Sequence, residues 1–104
     1  MKKVLIEIKV VKDGGILSPA DLPALCEKVE AILSEKWDCL VILSGRLPVW
    51  AYAGLTHTCH PAKGVATYEP RSNAGIIVSR HSEEISSIGT CVPIEDAEKI
   101  EILF

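Results

Sequence analysis

A chain of 104 residues with 48% apolar side chains and a formal charge of −3 can bury one hydrophobic core and has no room for a second. Its mean hydropathy of +0.27 excludes disorder, and its acidic balance argues against nonspecific nucleic-acid binding. No stretch nears the roughly 20 apolar residues that span a bilayer, and MKKVLIEIKVVKD, broken by Glu7, Lys9 and Lys12, reads as a strand rather than a leader.

In chain order, Lys2 to Val11 alternates, with Val4, Ile6, Ile8 and Val10 on one side, and predicts a strand with one buried face. Asp13-Gly14-Gly15 breaks it. Ser18-Pro19-Ala20-Asp21 then supplies an N-cap, a first-turn proline and an acid, so a helix is expected to about Lys36, with Leu22, Leu25, Cys26, Val29, Ile32 and Leu33 as its buried stripe. Cys39 to Leu43 is continuously apolar, as in a central strand covered on both faces. A glycine turn, Ser44-Gly45-Arg46-Leu47-Pro48, leads into a second helix from about Pro48 towards His60, ended by Pro61.

Two short strands follow, Lys63 to Tyr68 and Gly75 to Arg80, around the turn-rich Glu69-Pro70-Arg71-Ser72-Asn73. Pro93 to Ala97 suggests a short helical turn, and Lys99 to Phe104 a closing strand with Ile100, Ile102 and Phe104 on one side. The order predicts an α/β fold: a single compact Rossmann-like domain over residues 1–104, with a mostly parallel central sheet, helices packed on it and a C-terminal strand pair. The cysteines, 26, 39, 59 and 91, show no metal-knuckle spacing and read as reduced, mostly buried thiols of a cytoplasmic protein.

Charge is unevenly spread. From Ser44 to Ser82 four basic residues, Arg46, Lys63, Arg71 and Arg80, face one acid, Glu69, giving that segment +3 and the remainder −6. All three arginines and all three histidines, His57, His60 and His81, fall inside it. Arginine grips phosphate bidentately and histidine titrates near neutral pH, so the island is suited to an anionic ligand; the alternative is a solvated, solubilising surface.

Within the island, Ser44, Gly45 and Arg46 stand at the carboxyl end of a buried strand and before a helix N-terminus, where phosphates collect. The loop lacks the lysine-serine of a P-loop and the further glycines of a dinucleotide fingerprint, and it also fits a plain strand-to-helix turn. His57 and His60, three apart, fit paired metal ligands or a base and its helper, or simply cations suited to a helix C-terminus. Glu69 could hold a hard divalent cation and Arg71 a phosphate, or the two could pair in a surface turn. His81 could complete the set. Trp50 and Tyr52 could stack on a base, although Trp50 at a helix start also fits the core.

The run SGRLPVW, then His57 and His60, then VATYEPR, then IIVSRHS resembles the small stand-alone CRISPR-associated ring nucleases of type III systems, relatives of the CRISPR-associated Rossmann-fold sensors. The resemblance covers about the central 40 residues in detail. It implies binding and cleavage of the cyclic tetra-adenylate second messenger, or of short RNA, with manganese as cofactor. It also implies a homodimer or ligand-bridged tetramer as the working unit, with neither DNA nor a membrane as partner. It marks His60 as the catalytic histidine, Glu69 as the metal-associated acid beside it, Ser44 and Arg71 as ligand contacts, and His57 and His81 as supporting members.

A member of the family this chain resembles has Asp-Pro-Arg where this chain has Glu69-Pro70-Arg71, and a further histidine can stand where this chain has Pro61. One added methylene moves the carboxylate, so a binder or sponge of the cyclic ligand without turnover is a second expectation. A small metal-binding interaction domain built on His57, Cys59 and His60 is a third.

Overall fold

A computed structural model describes the whole chain, Met1–Phe104. Its strands are β1 (Lys3–Lys9), β2 (Leu40–Gly45), β3 (Gly64–Glu69), β4 (Ala74–Arg80), β5 (Cys91–Pro93) and β6 (Glu98–Leu103), and its helices α1 (Leu22–Leu33) and α2 (Val49–Thr58). The strands form one sheet in the order β5-β4-β3-β2-β1-β6. The β6-β1-β2-β3 half is parallel, while β4 and β5 run antiparallel to their neighbours. The sheet is therefore mixed: the short β3–β4 turn forces an antiparallel hairpin, whereas the parallel pairs β1–β2 and β2–β3 each need a helical crossover.

Alternation in β1 divides the core. Val4, Ile6 and Ile8 face α1 and α2, with Val41, Leu43, Val65 and Ile102 beside them and Leu25, Val29, Leu33, Ala51 and Leu55 from the helices above. On the reverse face Leu5, Leu40, Ile42, Ala66 and Ile77 are covered by Ile85 and by the partly buried Val92, Ile94 and Ala97. Leu40 to Leu43 are all buried because successive residues of β2 serve opposite layers.

Helix α1 begins as expected: Ser18 and Asp21 form a reciprocal capping box, a 3-10 turn covers Pro19–Asp21, and Leu25, Val29 and Leu33 make the buried stripe. Several expectations need correction. Where a helical turn is expected over 93–97, Pro93 ends β5 and residues 94–97 form a turn closed by the Ala97 N–H on the Ile94 carbonyl (3.1 Å). The last two strands are not a pair, since β5 and β6 occupy opposite edges of the sheet. Helix α2 ends at Thr58 with Cys59 as its C-cap, so His60 lies beyond the helix.

Candidate functional site

Ser44 and Gly45 end β2 in register with Glu7 and Ile8 of β1, and Arg46 is exposed on the turn that follows. Gly45 has φ of +150°, and a Cβ there would sit inside 3.0 Å of the Ile8 carbonyl oxygen, so only glycine lets the chain leave the sheet this close to β1. The Tyr52 hydroxyl, one turn into α2, donates to the Gly45 carbonyl and fixes the turn against the helix. Burial raises the Tyr52 phenol above its usual range.

These residues open onto a cavity of about 1110 Å³ at the carboxyl ends of the parallel strands, lined also by Tyr68, Pro70, Gly14 and Gly15. The cavity is less cationic than the island. Glu7 and Glu101, aligned on adjacent strands, line it together with Lys9, and Lys99 pairs with Glu7 at 3.1 Å. The sequence reading missed these four residues. Their signal lay in the alternation of β1 and β6, which puts Glu7, Lys9, Lys99 and Glu101 on the face away from the helices, but only the register reveals that they stand beside Ser44.

Glu69 ends β3, and its Oε1 accepts the Arg71 backbone N–H at 3.0 Å, a local turn contact in place of an Arg71 side-chain pair. Asn73, with φ of +47°, completes the turn and accepts a hydrogen bond from the Tyr68 hydroxyl at 2.7 Å. Arg71 is exposed beside the cavity mouth, where Pro70 is a lining residue.

The histidines lie elsewhere. His60 follows α2 and precedes β3, while His81 follows β4, whose last residue Arg80 is in register with Gly64 at the start of β3. The two imidazoles meet edge to face with centroids 4.3 Å apart. Ser79 Oγ lies 3.2 Å from His81 Nε2, and both histidines are exposed. His57, in the last turn of α2, is exposed as well, and its backbone carbonyl accepts the His60 N–H at 3.1 Å.

The expected set thus divides into two groups at opposite ends of β3. Five residue steps separate Gly64 from Glu69, about 16 Å at the usual strand rise. Ser44, Gly45, Arg46, Glu69 and Arg71 belong to one end; His60 and His81, with Arg80 and Lys63, belong to the other. A single chain therefore does not bring Glu69 and His60 to one ion, and no three His, Cys, Asp or Glu side chains gather into a metal-sized group. Cys59 is fully buried between its histidine neighbours in sequence, and burial pushes its thiol up to about 12, so it does not join them as a ligand.

A profile described as CRISPR-associated protein (Cas_csx3) matches residues 10–93, spanning both groups. The chain belongs to this CRISPR-associated family. An uncharacterized protein of Aquifex aeolicus (strain VF5) is 36% identical over 78 residues, which are 75% of this chain and 67% of that protein. No helix is long and apolar enough to cross a membrane.

Proposed function

We propose that this Cas_csx3-family protein binds cyclic tetra-adenylate, or a short RNA like it, at the carboxyl ends of its parallel strands and cleaves it with the histidine pair of a second copy. The observation that carries this reading is the division just described: a phosphate-suited turn with a large cavity at one end of β3, and two touching imidazoles at the other. Ser44, the backbone of Gly45, Arg46 and Arg71 would hold phosphates, helped by the N-terminus of α2.

In the reaction the ribose 2′-oxygen attacks its own phosphate. The 2′-oxygen–phosphorus bond forms, the phosphorus–5′-oxygen bond breaks, and a 2′,3′-cyclic phosphate is left. His60 would take the 2′-hydroxyl proton and His81 would return one to the departing 5′-oxygen. His57 supports His60 through its backbone carbonyl. The donors of one chain do not fit manganese, so the ion belongs to this reading only where Glu69 of one copy meets His60 of another, and there it would add positive charge beside the phosphate. A symmetric cyclic ligand suits a two-fold assembly that offers the same contacts to each half.

The test is incubation of the pure protein with cyclic tetra-adenylate and manganese, with products resolved by chromatography. Linear products that vanish for His60→Ala, and a rate per chain that rises with protein concentration, are expected. An intact ring with wild type and His60→Ala alike would refute the enzyme.

A second reading, a binder without turnover, is favoured by Glu69, whose carboxylate is one methylene longer than an aspartate's and is already engaged by the Arg71 N–H. Calorimetry separates the two. Tight binding with no products supports the binder, and no heat at all counts against both.

A further inference from the structure

We propose that Lys63 is a positioning residue for the His60–His81 pair, an inference that rests on reading those imidazoles as the proton carriers. Its ammonium lies between two carboxylates from different segments: Asp38 Oδ1 at 2.7 Å, just before β2, and both carboxylate oxygens of Glu84 at 2.8 Å, in the segment after β4. Its backbone is engaged on both sides. The Lys63 N–H donates to the Cys39 carbonyl at 3.0 Å, and the Lys63 carbonyl accepts the His81 N–H at 2.8 Å.

One residue thus ties the segment carrying His81 to the chain three residues after His60, and ties both to the start of β2. The other contacts of that segment make the clamp specific. Arg80 Nε donates to the Ile85 carbonyl at 2.7 Å, and the Ile85 N–H to the Ser82 carbonyl at 3.1 Å. Ile85 is buried over Gly64, where an added Cβ would lie 3.0 Å from the isoleucine side chain. Residues 80–85 are thereby a compact unit anchored at three points to Lys63 and Gly64, of which only the Lys63–Glu84 pair uses charged side chains.

The hydrogen bond between His81 and Ser79 sets the ring within this unit, and Lys63 sets the unit relative to His60. Lys63 is only partly exposed, at 26%, while both carboxylates are open to water, at 86% for Asp38 and 59% for Glu84. A single such pair would add little to stability. A two-sided pair spanning three segments chiefly fixes their relative placement, and proton transfer between groups held to within an ångström is sensitive to that placement.

The test uses Lys63→Met and Lys63→Arg, with Glu84→Gln as a milder variant that keeps Asp38 in place and preserves folding. The first readout is the nuclear Overhauser contact between the His60 and His81 rings, which needs no activity. Lys63→Met is expected to lose it, Glu84→Gln to weaken it and Lys63→Arg to keep it. The second readout is cleavage of cyclic tetra-adenylate, where Lys63→Met should lower kcat by about tenfold to a hundredfold with KM within twofold, and Lys63→Arg should restore it. An unchanged ring contact in both Lys63→Met and Glu84→Gln overturns the proposal. A wild-type protein that shows the ring contact but no cleavage overturns the functional reading and leaves the clamp to be decided by the spectra.

Discussion

Replacing Gly45 by alanine adds one methyl group where β2 leaves the sheet alongside β1. The new Cβ would sit inside 3.0 Å of the Ile8 carbonyl oxygen, 3.3 Å from its carbonyl carbon and 3.4 Å from its Cβ. Neither strand can retreat freely: β1 is paired on both sides, with β2 and β6, and Ile8 is itself core. The φ of +150° adds strain for any side chain. Such backbone strain costs about 1–3 kcal/mol and overpacking a further ~1–3 kcal/mol, so about 3 kcal/mol is expected, a melting-temperature fall of roughly 12–24 °C for a domain of this size. Gly14 is the control. It too has positive φ, +68°, but a Cβ there meets nothing within 4 Å, so Gly14→Ala should show only the strain, about 1–2 kcal/mol. Thermal melts followed by circular dichroism, with urea titrations for the free energies, should place Gly45→Ala roughly 4–16 °C below Gly14→Ala. If the two variants melt together, the clash with β1 is absent and the account of why β2 ends in glycine is wrong.

Asp21, held down at about 2 by the Lys12 ammonium at 2.7 Å and then by the Ser18 N–H, contributes stability above its unfolded pKa near 4 and loses it as pH falls towards 2. Urea midpoints for wild type and Asp21→Asn should therefore differ at pH 6 and converge at pH 2. Thiol titration of the native protein should find one fast cysteine, the exposed Cys91, with Cys26 slower, Cys39 and Cys59 silent until denaturant is added, and four thiols then in all. On the reading proposed above, Glu69→Asp, which shortens the carboxylate by one methylene, should raise ring cleavage at least about threefold with manganese present, and no change would count against the added methylene as a limit on turnover.

How much of this was legible depended on whether a signal was local. β1 and α1 were readable because periods of two and near four are written directly in Val4-Ile6-Ile8 and Leu25-Val29-Leu33. β2 was readable because a strand between two layers is apolar at every position. β5 was not: three residues, Cys91-Val92-Pro93, are too few for periodicity, and a proline ordinarily argues against a strand except at an edge, which is where it lies. The position of β6 beside β1 was hidden for another reason, since pairing between residues some ninety positions apart leaves no mark in either segment alone. The candidate site was half legible. Its residues are visible as a charge and histidine island, but their closeness in sequence is not closeness in space.

The lengths of α2, β3 and β4 explain that division. A helix advances about 1.5 Å per residue and a strand about 3.3 Å, so the ten residues of α2 and the six of β3 each carry the chain about 15 Å from one end of the sheet to the other. The island from Ser44 to His81 contains three traverses, back along α2, forward along β3 and back along β4, so its residues fall alternately at the two ends: Arg46 at the first, His60 at the second, Glu69 and Arg71 at the first, Arg80 and His81 at the second. Antiparallel return is what reunites the pairs, bringing His81 against His60 across 21 residues of sequence. On the proposed function, each chain then has one end that holds phosphate and one that moves protons. On the reading proposed above, the two functions meet only where the first end of one copy faces the second end of another. The separation that made the site hard to read from sequence would then make its activity depend on assembly.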